Sequence, residues 1–292
     1  MKTSFLVILY LLILYINVPS ILGDNQSIFI EFKDFDKIKA YQILDVRDKR
    51  KFISSHLPNS IWLDISKFDA RDPSFPSQIG APAQILNLLR KLGIRNDKSV
   101  VIVGESIRSF GEDGRLFWIL KEFTNLEVKI LNGGFKAIQS LAREHLESGE
   151  PLQKEAIKDS PNLLVRLKED FVMFQYEDLK RTDLSKIDVR TLPEFMGATP
   201  FGSVQGGHIP GANWFPWHSF FDEHGRVKKQ PSAEFLEKLA DKRPLVYCTA
   251  GYRSALVYAV LVEWKLDPIN YDGSWFEFAL RSSNAKVKGP RD

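Results

Sequence analysis

The chain has 292 residues, 44% of them hydrophobic and 26% charged, enough apolar material for a sizeable core and too much for a disordered or fibrous protein. Forty basic against 37 acidic residues leave a formal charge of +3, so bulk charge makes no case for nucleic acid as a partner. A single Cys excludes an intramolecular disulfide, a cysteine-based zinc site and an iron–sulfur cluster.

Met1-Lys2-Thr3 supplies one positive charge, and the apolar run from Phe5 to Val18 has the length of a secretory core. Residues 1–23 are therefore expected to be a signal peptide, cleaved after Ser20 or Gly23, which implies export to a periplasm. Extended to Leu22, the run nears the minimum for a bilayer-spanning helix, so an uncleaved membrane anchor is the alternative.

Beyond the leader the chain repeats itself. Leu44-Asp45-Val46-Arg47, with Phe52 behind it, answers Ile187-Asp188-Val189-Arg190 with Phe195. His56-Leu57-Pro58 answers His208-Ile209-Pro210-Gly211-Ala212, Val100-Val101-Ile102-Val103 answers Leu245-Val246-Tyr247, and Asn132-Gly133-Gly134-Phe135 answers Asp272-Gly273-Ser274-Trp275. The landmarks come in the same order, which predicts two similar domains, 28–145 and 163–288. The polar, proline-broken stretch 146–162 reads as their linker.

Short β-branched runs over 43–46 and 100–103 read as strands, and 83–92 and 255–264 have helical length. Alternation of the two predicts an α/β fold, each domain a parallel sheet flanked by helices, with its working loops at the carboxyl ends of strands.

One such loop is Cys248-Thr249-Ala250-Gly251-Tyr252-Arg253-Ser254, between a strand ending at Tyr247 and a helix expected near Ser254. N–H groups and the helix dipole at such a turn stabilise an anion and lower a thiol pKa. Arg253 adds a cation that either holds an oxyanion or favours the thiolate, and Gly251 permits a closed cradle. Taken alone, Cys248 also reads as a small buried hydrophobe; its place between strand, Arg and helix favours a nucleophile.

The five His residues, at 56, 145, 208, 218 and 224, show no metal-ligand spacing, and neither Gly133-Gly134 nor Gly206-Gly207 makes a phosphate-binding fingerprint. No metal and no cofactor are predicted. Trp214-Phe215-Pro216-Trp217 lacks an accompanying basic stripe, so it reads as core or interface rather than a platform for bases.

Both Asp-Val-Arg turns, the His-Ile-Pro-Gly-Ala turn, Asn132 to Phe135, Cys248 to Ser254 and Asp272 to Trp275 together resemble the rhodanese-type sulfurtransferases. The likeness is to the tandem form that includes thiosulfate and 3-mercaptopyruvate sulfurtransferases, from about Ile28 to Arg281. It implies an inactive first domain, and the position matching Cys248 there is Gly104. It implies that a Cys248 persulfide forms on attack at the sulfane sulfur of a small anionic donor. The sulfur then passes to a thiol or cyanide, or to a protein acceptor.

In this reading Cys248 and Arg253 are catalytic, while Thr249, Ala250, Gly251, Tyr252 and Ser254 form the substrate cradle. Phe110 and Trp275 match family wall positions, with simple packing as the alternative for each. The Asp of each Asp-Val-Arg turn and the two turn histidines, His56 and His208, are expected to be structural, although the mercaptopyruvate branch gives its first-domain His a part in a proton relay. Four residues separate Cys248 from Arg253, one fewer than in the related dual-specificity phosphatases, which makes a phosphatase the weaker enzyme reading. Ala250 stands where mercaptopyruvate enzymes carry Ser, and Glu194 stands near an Arg that many tandem members use to hold their substrate. The loop, which ends in Arg253-Ser254 as some bacterial rhodaneses do, favours thiosulfate; Glu194 removes one expected clamp, for which Arg253 is the replacement. A mercaptopyruvate donor and a non-turning persulfide carrier are the alternatives.

Overall fold

The computed structural model describes residues 27–34, 38, 40–70, 72, 78–139, 146–150, 166–168 and 173–282. The expected signal peptide and most of the expected linker lie outside them. Among the described residues no helix is long and apolar enough to cross a membrane.

The first domain contains β1 (Phe29–Ile30), β2 (Gln42–Asp45), α1 (Lys49–Ser54), β3 (Ile61–Trp62), α2 (Pro82–Lys91), β4 (Val100–Val103), α3 (Glu112–Phe123), β5 (Val128–Leu131) and α4 (Phe135–Gln139). Its strands form one parallel sheet in the order β1-β5-β4-β2-β3. The second domain contains β6 (Leu184–Asp188), α5 (Leu192–Phe195), β7 (Asn213–Trp214), α6 (Ala233–Leu239), β8 (Arg243–Tyr247), α7 (Tyr252–Glu263), β9 (Ile269–Asn270) and α8 (Ser274–Arg281). Its parallel sheet runs β7-β6-β8-β9, the first domain's order without the outer strand. The repeat in the sequence is thus a repeat of sheet topology. Val100, Val101, Ile102 and Val103 are all fully buried, as a parallel strand covered on both faces requires.

The landmark residues perform the same local task twice. Asp45 accepts the N–H of Arg47 at 3.0 Å and its guanidinium at 2.6 Å; Asp188 and Arg190 repeat both distances. The arginines then reach the backbone oxygens of Ser55 and Gly207, and Trp62 and Trp214 each donate an indole N–H to the arginine's carbonyl at 2.9 Å. His56 stacks on Phe52 at 4.0 Å and His208 on Phe195 at 3.8 Å, each with Nδ1 at that phenylalanine's carbonyl oxygen. All of these groups brace turns.

Two expected boundaries move. Helix α7 begins at Tyr252 rather than near Ser254, because Gly251, with φ +80°, turns the chain into the helix earlier. Residues 166–168, expected in the second domain, lie against the first: Leu167 bridges Thr124, and the Lys168 N–H donates to Phe123 O at 2.9 Å.

The domains join through α3 and α7, and one hydrophobic core runs through both helices, taking in Leu116 and Ile119 from one and Leu256 and Val260 from the other. They cross at Gly114, where a Cβ would fall 2.1 Å from Leu256 Cα. Glycine is required there by contact. Tyr258 donates its hydroxyl to Glu122 across this joint, and the N–H of Ile28 donates to Glu263 at 2.6 Å.

Candidate active site

Strand β8 ends at Tyr247, and the chain turns at the carboxyl edge of the sheet to place Cys248 beneath the first turn of α7. The carbonyl oxygens of Cys248 and Thr249 accept the N–H groups of Trp275 and Phe276 at 3.0 and 3.1 Å, and the Cys248 N–H donates to Ser274 Oγ at 3.2 Å. Ser274 has φ +49°, a strained conformation for a non-glycine residue, held where its hydroxyl also donates to Tyr271 O at 2.8 Å. A Cβ on Gly251 would lie 2.8 Å from Asp272 O, so this position too demands glycine.

The sulfur of Cys248 receives the backbone N–H groups of Ala250 and Ser254, and Ser254 Oγ lies 3.6 Å away. The residue is only 1% exposed. That burial pushes the thiol up, but the Arg253 charge and the hydrogen bonds from Ser254 and Ala250 outweigh it, leaving the pKa below the usual thiol value.

Arg253 lies at the turn's far end, but its guanidinium is already engaged. It holds Glu194 through two bonds of 2.9 and 2.7 Å and Thr249 Oγ1 at 2.7 Å, while Thr249 donates to Glu194 at 2.7 Å. Burial opposes ionisation of Glu194, but the bonds from Arg253, Thr249 and Thr191 prevail and hold its carboxyl down at about 2. The expected replacement clamp is therefore closed on Glu194 itself. Its charge acts on the Cys248 thiol while its bonds hold the loop.

The other expected cradle residues divide by direction. Tyr252 faces the domain joint, donating its hydroxyl to Asp69 at 2.8 Å. Beside it the buried Arg115 pairs with Asp272 and stacks over the Tyr252 ring at 5.0 Å, so first-domain charges hold the Gly251–Tyr252 end of the loop. Trp275 is 1% exposed, packs against Phe278 and Arg190, and gives its indole N–H to Gln205 O at 3.0 Å. Its ring is core beneath the loop, the packing alternative of the two, and its backbone alone touches the Cys248 segment.

Phe110 does reach across the domains. It is 56% exposed and meets Phe201 edge to face at 6.1 Å, while Arg253 lies 5.6 Å from the Phe201 ring centre. Phe201 escaped the sequence reading, and its only signal was an aromatic residue among the turn formers of Gly197 to Gly211. His218 escaped too; burial and the Arg253 charge hold it below the usual histidine range, which keeps it neutral beside the site.

In the first domain the equivalent loop is longer and holds a different anion. Helices α3 and α7 are each 12 residues and each follows a left-handed glycine, Gly111 and Gly251, which puts Asp113 in register with Arg253. The Asp113 carboxylate turns back into the loop and accepts the N–H groups of Ser106 and Gly114 at 3.0 Å each. Gly104, in the position of Cys248, makes room: a Cβ there would lie 2.5 Å from Asp113 Cβ. The same loop fastens to the second domain, Ser106 Oγ donating to Gly225 O at 2.6 Å and Arg108 to His224 O at 2.7 Å.

Comparison with known proteins agrees with this architecture. The family model for the rhodanese-like domain matches twice, over residues 30–141 and 175–281. The chain is 30% identical to the thiosulfate sulfurtransferase of Gallus gallus over 245 residues, 81% of this chain and 83% of that one, and 28% identical to that of Bos taurus over 250 residues, 80% of each. Among solved structures, the 3-mercaptopyruvate sulfurtransferase from Leishmania major superposes with a TM-score of 0.73 at 20% identity, over 88% of this chain and 75% of that one, a likeness of fold. With two matched domains, a repeated sheet and a thiol in only one of two equivalent loops, the chain belongs to the rhodanese family and is one of its sulfurtransferases.

Proposed function

We propose that the protein transfers the sulfane sulfur of thiosulfate to a thiophilic acceptor through a persulfide on Cys248. The observation that carries this reading is the aim of the Ala250 and Ser254 N–H groups at the Cys248 sulfur, with Arg253 adding charge behind them. The thiolate attacks the outer sulfur of thiosulfate; the donor's S–S bond breaks and its electron pair leaves with sulfite. The persulfide sulfur remains within reach of the same donors until cyanide or a thiol takes the outer atom and returns the thiolate. This is covalent catalysis by a nucleophile whose pKa its surroundings lower. Because Cys248 is nearly sealed, the donor enters by displacing side chains at the mouth, where Phe110 and Phe201 meet.

One observation supports thiosulfate over mercaptopyruvate: Ala250 brings no hydroxyl to its loop position for a proton relay. Sustained sulfite release from thiosulfate with cyanide as acceptor tests the reading, together with an intact mass that gains one sulfur on the Cys248 peptide. A single burst equal to the protein present, followed by no turnover, would identify a carrier instead. Pyruvate release from mercaptopyruvate at a higher kcat/KM than sulfite release from thiosulfate would reassign the donor. Export to a periplasm, proposed from residues 1–23, is checked by the N-terminal sequence of the mature protein.

A further inference from the structure

At the carboxyl edge of the first domain a cavity of about 440 Å³ is lined by Arg47, Arg50, Lys51, Glu105, Arg108 and Lys136, among others. Its lining follows the repeat: Arg47 answers Arg190, Phe135 answers Trp275, and Lys51 stands where the second domain has Glu194. Open parallel sheets bind their ligands at this edge. Here the thiol is gone and cations have taken its surroundings.

The cavity continues in both directions. Towards the second domain it shares Arg108 and Lys136 with a space of about 420 Å³ that adds His224 and Arg226. The other way it shares Lys51 and Glu105 with a space of about 540 Å³ that ends at Ser109 and Phe110 and is lined by Asp48, Asp64 and Glu112 as well as Lys49. The first two cavities thus form a basic groove running from the domain seam along the first domain, and the acids of the third mark where the basic stretch ends on the side of Phe110. Among the described residues, Arg50, Lys136 and Arg226 form no ion pair, and the Arg108 guanidinium bonds only the carbonyl oxygens of Gly133 and His224. Lys51 alone is matched by an acid of the groove, Glu105 at 3.2 Å. A chain with a net charge of only +3 has thus gathered five exposed cations along one channel.

The distribution also selects the ligand. A small oxyanion is commonly held by converging backbone N–H groups, but those of Ser106 and Gly114 are already bonded to Asp113. Cations strung along two joined cavities suit an extended chain carrying several carboxylates, with the acids of the third leaving its uncharged end free to pass towards Phe110. We propose that this groove docks an acidic polypeptide segment of a protein sulfur acceptor, guiding its receiving group towards Phe110 and Cys248. The transfer half of this inference rests on the persulfide reading above; the docking half does not.

Two peptides of equal length test it, each ending in Cys, one rich in Glu and the other with Gln in place of every Glu. With persulfide-loaded protein at low salt, the Glu peptide is expected to take up sulfur with a kcat/KM about ten-fold above the Gln peptide, an advantage that shrinks as salt is raised. The triple variant Arg50→Glu, Lys136→Glu, Arg226→Glu is expected to lose that advantage while its melting temperature and its rate with cyanide stay at the parent's values. Equal kcat/KM for the two peptides in the parent protein, or equal loss for both in the variant, overturns the proposal. Displacement of the Glu peptide by inorganic pyrophosphate, far beyond the effect of sodium chloride at the same ionic strength, assigns the groove to a small oxyanion and also overturns it. Fluorescence anisotropy of the labelled Glu peptide, without any sulfur donor, reads docking alone. Binding that the triple variant abolishes upholds the groove even if thiosulfate turnover fails.

Discussion

In the first domain the loop after β4 closes its N–H groups over the carboxylate of Asp113; in the second, the loop after β8 closes them over the sulfur of Cys248. Each is a strand-to-helix turn whose helix follows a left-handed glycine, and each encloses a group that is only 1% exposed. They differ in what balances the enclosed anion. Cys248 has Arg253 beside it, and its pKa falls. Burial raises Asp113, Glu112 raises it further, and its own hydrogen bonds offset only part of this, so its carboxyl is pushed up to about 6. The turn alone therefore does not make a reactive anion; the neighbouring cation decides.

The largest effect expected is from Cys248→Ser, which removes the sulfur acceptor and should lower sulfite release by at least about a thousand-fold, with no added sulfur in the intact mass. Next is Arg253→Ala. It strands Glu194 in a buried site, a loss of about 3–5 kcal/mol in denaturant unfolding, and it raises the thiol pKa. The pH–rate profile should shift to higher pH, with kcat at neutral pH falling more than the KM for thiosulfate rises. A KM that alone increases would restore the clamp role to Arg253. Pairing this change with Glu194→Gln should recover most of the stability and none of the shift.

A third variant takes the comparison to the first domain. Gly104→Cys puts a thiol at the position equivalent to Cys248, but its Cβ would press on Asp113. A cost of about 1–3 kcal/mol is expected, and no persulfide on the introduced thiol under conditions that load Cys248. Sulfur found on the first-domain peptide would show that the cradle, not the cation, is sufficient.

The smallest effects are in the pH dependence of stability, where the two domains' buried carboxylates pull in opposite senses. Glu194, held at about 2, contributes stability that is present above its ordinary value of 4.5 and is lost as pH falls through 2. Asp113, raised to about 6, does the reverse: its contribution is complete below 3.8 and disappears as pH rises through 6. Melting temperatures across this range should lose the acid slope in Glu194→Gln and the slope between about 4 and 6 in Asp113→Asn. Parallel curves for parent and variants would refute the assignment.

Much of this was legible in the sequence because the repeat announces itself through residues with fixed local jobs. The Asp-Val-Arg turns, the His on Phe stacks and the paired glycines each depend on neighbours close in the chain, so their pattern survives as text. The catalytic loop was legible for the same reason. What stayed hidden depends on separation along the chain. Glu194 could be seen as a missing cation but not as the partner of Arg253, 59 residues away, and Phe201 gave no sign that it would meet Phe110 from the other domain. Asp113 was hidden by the longer first loop, which breaks the register that would have set it beside Arg253. Trp275 shows the converse limit: the motif placed its backbone correctly beside the cysteine, while the ring turned into the core.

The crossing of α3 and α7 at Gly114 has a consequence for the catalytic loop. A helix backbone seated against a glycine, with apolar side chains interleaved on both sides, locks the two helices against each other. A larger side chain at Gly114 would act as a wedge between the domains, displacing the first turn of α7, and with it the Cys248 loop, without touching the thiol itself.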